Sequence, residues 1–412
     1  MSGNYPAWRH IMKNYIIKKD DLVTTMDKLS TVSGKKFVAI KPLDLNGKQH
    51  LKIATCNEQL QVEDYVPCQS KEVESLDTYF VDSTLVDICK VMVGSAITFE
   101  FQKSELVVKN GSAVKIRLPL MSKEKHSLMV EDIREIENMK EHPTQEGFDY
   151  QYTVGATMLQ AALHVFGGVT GEHQTFTLNG AFIEVDEPNK QLVIASTEGH
   201  SVAKGTIPYI ALTSNTDKME GSVMPSDFKK VVTSFVATVD TETNAMVTMQ
   251  QKLMYVAIGS SLAYFRMKKT MFPPLEQLCG ILATDTEAKA TVDTRELINA
   301  IKLIELATDS TDKSNGTTPI RLIIKDENVI VQSKNGGSMA EIDANDASGE
   351  SETLLSNKFL NKLITVMPDQ CIIEIKDKVA TNGAVVLNGF AFLLPINDDE
   401  SNEEESEETT EE

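Results

Sequence analysis

A short strand, a polar cap residue, a helix of about three turns and a further run of strands recur six times along this chain. Helical apolar spacing picks out Leu22, Val23, Met26 and Leu29 behind a cap at Asp20 or Asp21, then Leu85, Ile88, Cys89 and Met92 behind Asp82 or Ser83. A third helix is expected over 156–166, between Gly155 and Gly167-Gly168, and a fourth follows Pro225-Ser226 through Phe228, Val231, Val232 and Phe235. The fifth carries Leu297, Ile298, Ile301, Ile304 and Leu306 behind Asp293 or Thr294. The sixth carries Phe359, Leu360, Leu363 and Ile364 behind Ser356. Alternating segments such as 97–101, 105–109, 245–249, 253–258, 320–324 and 371–375 read as strands, and Asn110-Gly111 as a hairpin turn. Helix starts are about 60–70 residues apart, too long a period for a solenoid repeat, whereas two units together make a domain of ordinary size. The expected architecture is α+β, with three similar domains over 14–120, 148–282 and 286–397, each with two helices on one face of antiparallel sheet. Residues 1–13 form an extension and 121–147 a charged connector.

Charge narrows the functional classes. The net charge is −20, and 398–412 alone carry ten acids and no base. That stretch reads as a disordered acidic tail. The remaining body, near −10, argues against ordinary nucleic-acid binding, because phosphate contacts need basic surface. Any DNA-binding face must gather its positive charge in one sheltered place. The helices carry the candidates: Lys28, Lys90, Lys229, Lys230, Arg295, Lys302, Lys358 and Lys362. On pattern alone these are as well read as ordinary solvated helix faces. No apolar run approaches the ~20 residues that cross a bilayer, and the N-terminus has no apolar signal region. Five scattered cysteines without CxxC spacing read as reduced thiols in a cytoplasmic protein.

Catalytic motifs are weak. Glu198-Gly199-His200 sets a carboxylate near an imidazole with Ser196 and Ser201 alongside, but there is no GxSxG elbow, HExxH or phosphate-binding loop. The other histidines lack metal-ligand spacing, and no cofactor is implied. A hydrolase built on Glu198 and His200 is therefore the least favoured reading. The surrounding stretch, 191–204, is an apolar strand broken by a Gly-His turn, a plausible wall for a groove.

The ordered motifs resemble the bacterial DNA polymerase III beta subunit, the beta sliding clamp family. Leu106 to Gly111 followed by Val114 to Pro119 looks like the end of that family's first domain. Leu178-Asn179-Gly180 and the Gly199-His200 signature resemble its second domain. Val223-Met224-Pro225, Phe272-Pro273 and Phe392-Leu393-Leu394-Pro395-Ile396 fall in the family's order. The resemblance implies a DNA-clamp fold, a ring formed by a head-to-tail homodimer, and helices facing duplex DNA. It implies a processivity factor with no catalysis of its own, tethering a DNA polymerase and loaded by an ATP-driven clamp loader. A clamp-fold scaffold that recruits partners without encircling DNA is the alternative.

Carried over residue by residue, the family's partner-peptide pocket falls on Leu178, Thr197, Gly199, His200, Val202, Pro225, Phe359, Phe392, Leu393, Leu394, Pro395 and Ile396. Apolar walls would take a Leu or Phe side chain, and Gly199 would let the peptide backbone approach. The chain departs from the family where Ser201 and Asn397 replace arginines, and in its acidic tail and N-terminal extension. Its third helix has no Lys or Arg. These departures mark a divergent member, of the kind a phage or an accessory gene copy would encode.

Overall fold

The computed structural model describes residues 13–45, 47–70, 77–111, 114–129, 150–164, 181–197, 200–214, 221–223, 225–250, 253–267, 280–308, 318–376, 383–389 and 391–395. In chain order these residues form β1 (Lys13–Lys18), α1 (Lys19–Leu29), β2 (Phe37–Leu45), β3 (Lys48–Cys56), β4 (Leu60–Gln69), β5 (Tyr79–Asp82), α2 (Leu85–Val91), β6 (Ala96–Phe101), β7 (Glu105–Asn110) and β8 (Val114–Met121). Then come β9 (Tyr150–Gly155), α3 (Ala156–His164), β10 (Ala181–Asp186), β11 (Gln191–Thr197), β12 (Ser201–Pro208), β13 (Ala211–Ser214), β14 (Gly221–Val223), α4 (Pro225–Val236), β15 (Asn244–Gln250), β16 (Leu253–Ile258) and β17 (Ser261–Arg266). The last part holds β18 (Thr286–Asp293), α5 (Thr294–Ala307), β19 (Pro319–Lys325), β20 (Asn328–Ser333), β21 (Met339–Asp343), β22 (Asn345–Ser348), β23 (Ser351–Ser356), α6 (Asn357–Ile364), β24 (Gln370–Lys376), β25 (Ala384–Leu387) and β26 (Ala391–Leu393). All six expected helices are present. The tail, the N-terminal extension, most of the connector and Phe272-Pro273 lie outside the described residues.

The chain divides into two compact units, one of Met1–Leu159, Tyr209–Met219 and Lys230–Met267, the other of Gln160–Pro208, Glu220–Lys229 and Lys268–Glu412. In the first, thirteen strands run in the order β1-β6-β7-β8-β5-β2-β3-β4-β17-β16-β15-β9-β13. Because β1 also pairs with β4, the first eight strands close on themselves. The pairing of β4 with β17, Asp64 opposite Ser261 through Leu60 opposite Phe265, carries this sheet straight across the expected boundary at 120–148. In the second unit, a nine-stranded sheet (β14-β10-β11-β12-β26-β25-β24-β18-β22) and a four-stranded sheet (β21-β20-β19-β23) share one core with α5 and α6. There β12 joins β26, so the sheet also crosses the expected boundary at 282–286.

The helices follow from spacing, but their caps do not all follow from sequence. On α5, Leu297, Ile301 and Ile304 are buried on one stripe, and the Asp293 carboxylate accepts the backbone N–H of Arg295 and Glu296. On α1 the N-cap is Lys18, and Asp20 and Asp21 sit in the first turn instead, favoured there by the helix dipole. On α2 the N-cap is Thr84, with Asp82 accepting its N–H. Ser356 holds the N-cap position of α6 but makes no capping hydrogen bond. At β18–β22 the backbones approach closely: Gly349 has φ +74°, and a Cβ there would lie 2.0 Å from the Glu287 carbonyl oxygen. Only glycine fits this turn.

A dry ionic cluster sits where α1, β4 and β17 meet in the first unit. Asp64 Oδ2 accepts from Thr25 Oγ1 at 2.7 Å and Lys28 Nζ at 2.9 Å, both on α1. Its Oδ1 accepts from Ser260 Oγ at 2.8 Å and Ser261 Oγ at 3.1 Å. Next to it, Glu63 and Lys52 form an ion pair at 2.8 Å, with both side chains almost wholly buried. Glu63 also accepts from Gln61 Nε2 and from the Tyr264 hydroxyl on β17. Burial pulls the Lys52 ammonium below its ordinary range, against the pull of Glu63.

The cluster generates a stability prediction. Asp64→Ala leaves the buried Lys28 without its counter-ion. This is expected to cost about 3–5 kcal/mol in urea unfolding, and Asp64→Leu with Lys28→Met is expected to recover most of it.

Candidate functional site

The basic residues of the helices separate into distinct environments. Lys28 is a correction: its side chain is 5% exposed and paired with Asp64, so it presents no charge on a helix surface. Lys90 is tied down by Asp27 Oδ1 at 2.8 Å and Ser30 Oγ at 2.7 Å, which links α2 to α1. Lys229 on α4 is half-buried, and burial pulls its ammonium below the ordinary range. Lys230 and Lys302 are exposed, and Arg295 is 84% exposed with Asp369 at 4.0 Å. The third helix, α3, has neither Lys nor Arg.

Lys358 and Lys362 have a more specific setting. Both rise from α6 toward the Phe359 ring, with their Nζ atoms 5.7 and 5.9 Å from its centroid. The imidazole of His200 stacks on the same ring at 4.8 Å, with the planes 22° apart. Two ammonium groups and an imidazole thus surround one half-buried aromatic ring. Such cation–aromatic contacts contribute about 0.5–1 kcal/mol each at exposed sites. The fold therefore brings His200 and Phe359, two of the expected pocket residues, into contact, and gathers two of the expected DNA-facing lysines around them.

The joint between β12 and β26 builds this rim. Ser201 pairs with Leu393, Val202 with Phe392 and Ala203 with Ala391. The Leu394 N–H donates to the His200 carbonyl at 2.9 Å, holding the end of β26 against the start of β12. Thr197 is buried, its hydroxyl donating to the Ser201 carbonyl at 2.8 Å. Sheet alternation splits the remaining residues. Leu393 and Ala203 belong to the large core under α5 and α6, whereas Val202 packs with Ile281, Ala384 and Val386. Leu394 is 38% exposed and Pro395 half-buried. Pro225 opens α4. Leu178, Glu198, Gly199 and Ile396 lie outside the described residues.

Other chemistry is sparse. Among the described residues, no group of three or more His, Cys, Asp and Glu is placed to hold a metal. The described cysteines are free thiols, and burial pushes Cys89 and Cys371 up to about 12. One feature that the sequence did not indicate is an open cleft of about 820 Å³ where β1, β3 and β4 meet, lined in part by Ile16, Lys18, His50 and Cys68. Burial pushes the Cys68 thiol there up to about 11, which keeps it protonated. No described helix is long and apolar enough to cross a membrane.

This architecture is the DNA-clamp fold. The chain superposes on the DnaN sliding clamp (DNA polymerase III subunit beta) of Pseudomonas aeruginosa with a TM-score of 0.73 at 15% identity, covering 94% of this chain and 100% of that one. The DNA polymerase sliding clamp of Bacillus subtilis gives 0.72 at 13% identity over 94% and 99%. The Helicobacter pylori beta clamp bound to a DNA ligase peptide gives 0.69 at 12% identity over 93% and 100%. At the level of sequence no family model and no curated protein matches. The resemblance is thus one of fold, at 12–15% sequence identity.

Removing the ring at the centre of the rim has two expected consequences. Phe359→Ala costs about 1–2 kcal/mol in urea unfolding, from the lost stack and cation–aromatic contacts. It also shifts the His200 ring protons downfield in NMR spectra, because the aromatic ring that shields them is gone.

Proposed function

We propose that the chain is a DNA sliding clamp: a non-catalytic processivity factor that closes a ring around duplex DNA and tethers a replicative polymerase and other partners through the His200–Phe359 rim. The observation that carries this reading is the clamp fold over nearly the whole chain. A topological tether needs only weak, sequence-independent phosphate contacts, so it is compatible with an acidic body. Lys230, Arg295 and Lys302 are the exposed bases left to make them. An ATP-driven loader is part of the reading, as is a cytoplasmic location, where the DNA and the polymerase are found.

Exposed edges support assembly with a second copy. On β8, Val114–Leu118 pairs only with β7 among the described strands and exposes Val114, Lys115 and Arg117. Nearby, Val91 and Val93 are 77% and 79% exposed, beside the packing of Gly94 against Asn110. On the other unit, β21 is an edge strand that exposes Met339, Glu341 and Asp343. Helix α5 ends with Leu303 and Leu306, 60% and 83% exposed. One edge carries Lys115, and Arg117 paired with Glu105 at 2.6 Å, with apolar neighbours; the other is acidic with an exposed methionine. Head-to-tail association of two copies would bring unlike charges together and add strand to strand.

A second reading, a clamp-fold scaffold that recruits partners without encircling DNA, is favoured by the helix chemistry. Lys28 is buried, Lys90 is paired and α3 has no base.

Two experiments separate these readings. With loader and ATP, the clamp is retained on nicked circular DNA and lost when the circle is linearised; equal behaviour on both forms favours the scaffold. Retention by Lys230→Ala, Arg295→Ala, Lys302→Ala should weaken, and its salt slope should fall by up to about one per base removed. In light scattering, Lys115→Glu with Arg117→Glu should yield monomer, as should Glu341→Lys with Asp343→Lys. A mixture of the two variants should recover a dimer that carries one repaired interface.

A further inference from the structure

We infer that the chain's own acidic segment, 396–412, docks on the Phe359 rim through Lys358 and Lys362 and competes there with partner peptides. The inference rests on reading the rim as a peptide-binding site.

The path of the chain is the first argument. The Leu394 N–H is bonded to the His200 carbonyl, and His200 is stacked on Phe359. Pro395 follows Leu394 directly, so the segment that begins at 396 is tethered at the rim. Asp398 and Asp399 follow within four residues, a span of about 10–14 Å when extended. A tether of that length is short enough to deliver the first acids to the lysine pair without any rearrangement of β26.

Charge is the second argument. Helix α6 contains Lys358 and Lys362 and no acid, while the segment contains ten acids and no base. The order within the segment also matches the rim. In the docked state Ile396 would supply an apolar side chain for the aromatic ring, and Asp398, Asp399 and Glu400, next in sequence, would meet its flanking ammonium groups. Each exposed ion pair is weak alone. Tethering changes the balance, because a short linker presents the acids at an effective concentration of about millimolar. A partner peptide must then displace the segment, and one without negative charge of its own is disfavoured. Salt loosens the docked state, because exposed charges are screened beyond about 10 Å at 0.1 M.

The test uses the full chain and neither DNA nor a partner, so its outcome is separate from retention on circles. A second full chain has all ten acids, Asp398, Asp399, Glu400, Glu403, Glu404, Glu405, Glu407, Glu408, Glu411 and Glu412, replaced by the corresponding amides. In low salt, the His200 and Phe359 ring resonances are expected to differ between the two chains, with the other described histidines unmoved. In about 0.5 M salt the difference should vanish. A synthetic 396–412 peptide added to the amide chain should restore the original positions, and it should fail on the amide chain that also carries Lys358→Gln and Lys362→Gln. Identical rim resonances in low salt would overturn the inference, as would a difference that salt leaves unchanged. Retention on circles with unmoved rim resonances would sink the docking alone, whereas rim docking without retention would sink the clamp reading alone.

Discussion

A buried lysine–aspartate pair decides much of what this chain's first unit can be. Asp64 collects four donors, two from α1 and two from the turn and first residue of β17. A charge taken out of water is tolerated only when its hydrogen-bonding capacity is met, so these groups are fixed relative to one another. The result is that α1, β4 and β17 behave as one piece. The β4–β17 register then carries a single sheet through what sequence periodicity reads as a gap between domains. Glu63 repeats the device one residue away, with Lys52 on β3 and Tyr264 on β17. The two adjacent carboxylates point to opposite faces of β4, so both faces of the joint are pinned.

The same pair shows where reading by pattern stops. Lys28 occupies a helix position that looks solvated, and nothing near it in sequence says otherwise. Its partner, Asp64, is on the third strand after α1 and becomes a neighbour only when β4 packs beneath α1. Local signals were legible where burial follows local spacing, as in the stripe Leu297, Ile301 and Ile304 of α5. Strands hidden from the pattern have identifiable reasons. β2 contains Pro42, which argues against a strand interior; it is tolerated because β5 pairs only with Phe37 to Ile40, leaving the proline on an open edge. β21 and β22 are short, polar edge strands, each hydrogen-bonded to one strand among the described residues. Caps were legible where a carboxylate reaches the helix amides, as at Asp293, and misleading where an acid serves the dipole instead, as at Asp20 and Asp21.

The candidate rim was legible as a set of residues but not as a geometry. His200 and Phe359 are far apart in sequence, and β12–β26 pairing is what delivers one to the other. Sheet alternation then sorts the predicted residues by depth. Leu393 enters the core, Val202 enters a separate cluster, and Leu394 remains at the surface. The lysines of α6 could not be assigned from spacing, since one helical turn between Lys358 and Lys362 is equally compatible with a face toward phosphate. Their ammonium groups around Phe359 place their charge beside the rim.

This placement bears on how an acidic chain with a clamp fold divides its positive charge. Ion pairs absorb Lys28 and Lys90, and the aromatic rim holds Lys358 and Lys362. Few helix bases are left for weak phosphate contact. A ring that confines DNA topologically needs few, because escape is blocked by closure rather than by affinity. A peptide site has no such help: it must hold its ligand by contact energy alone. Spending two lysines on the rim is therefore the more consequential use of a limited supply of positive charge. An apolar anchor beside negative charge is then the chemistry such a rim selects, and the chain's own sequence after Pro395 has that composition.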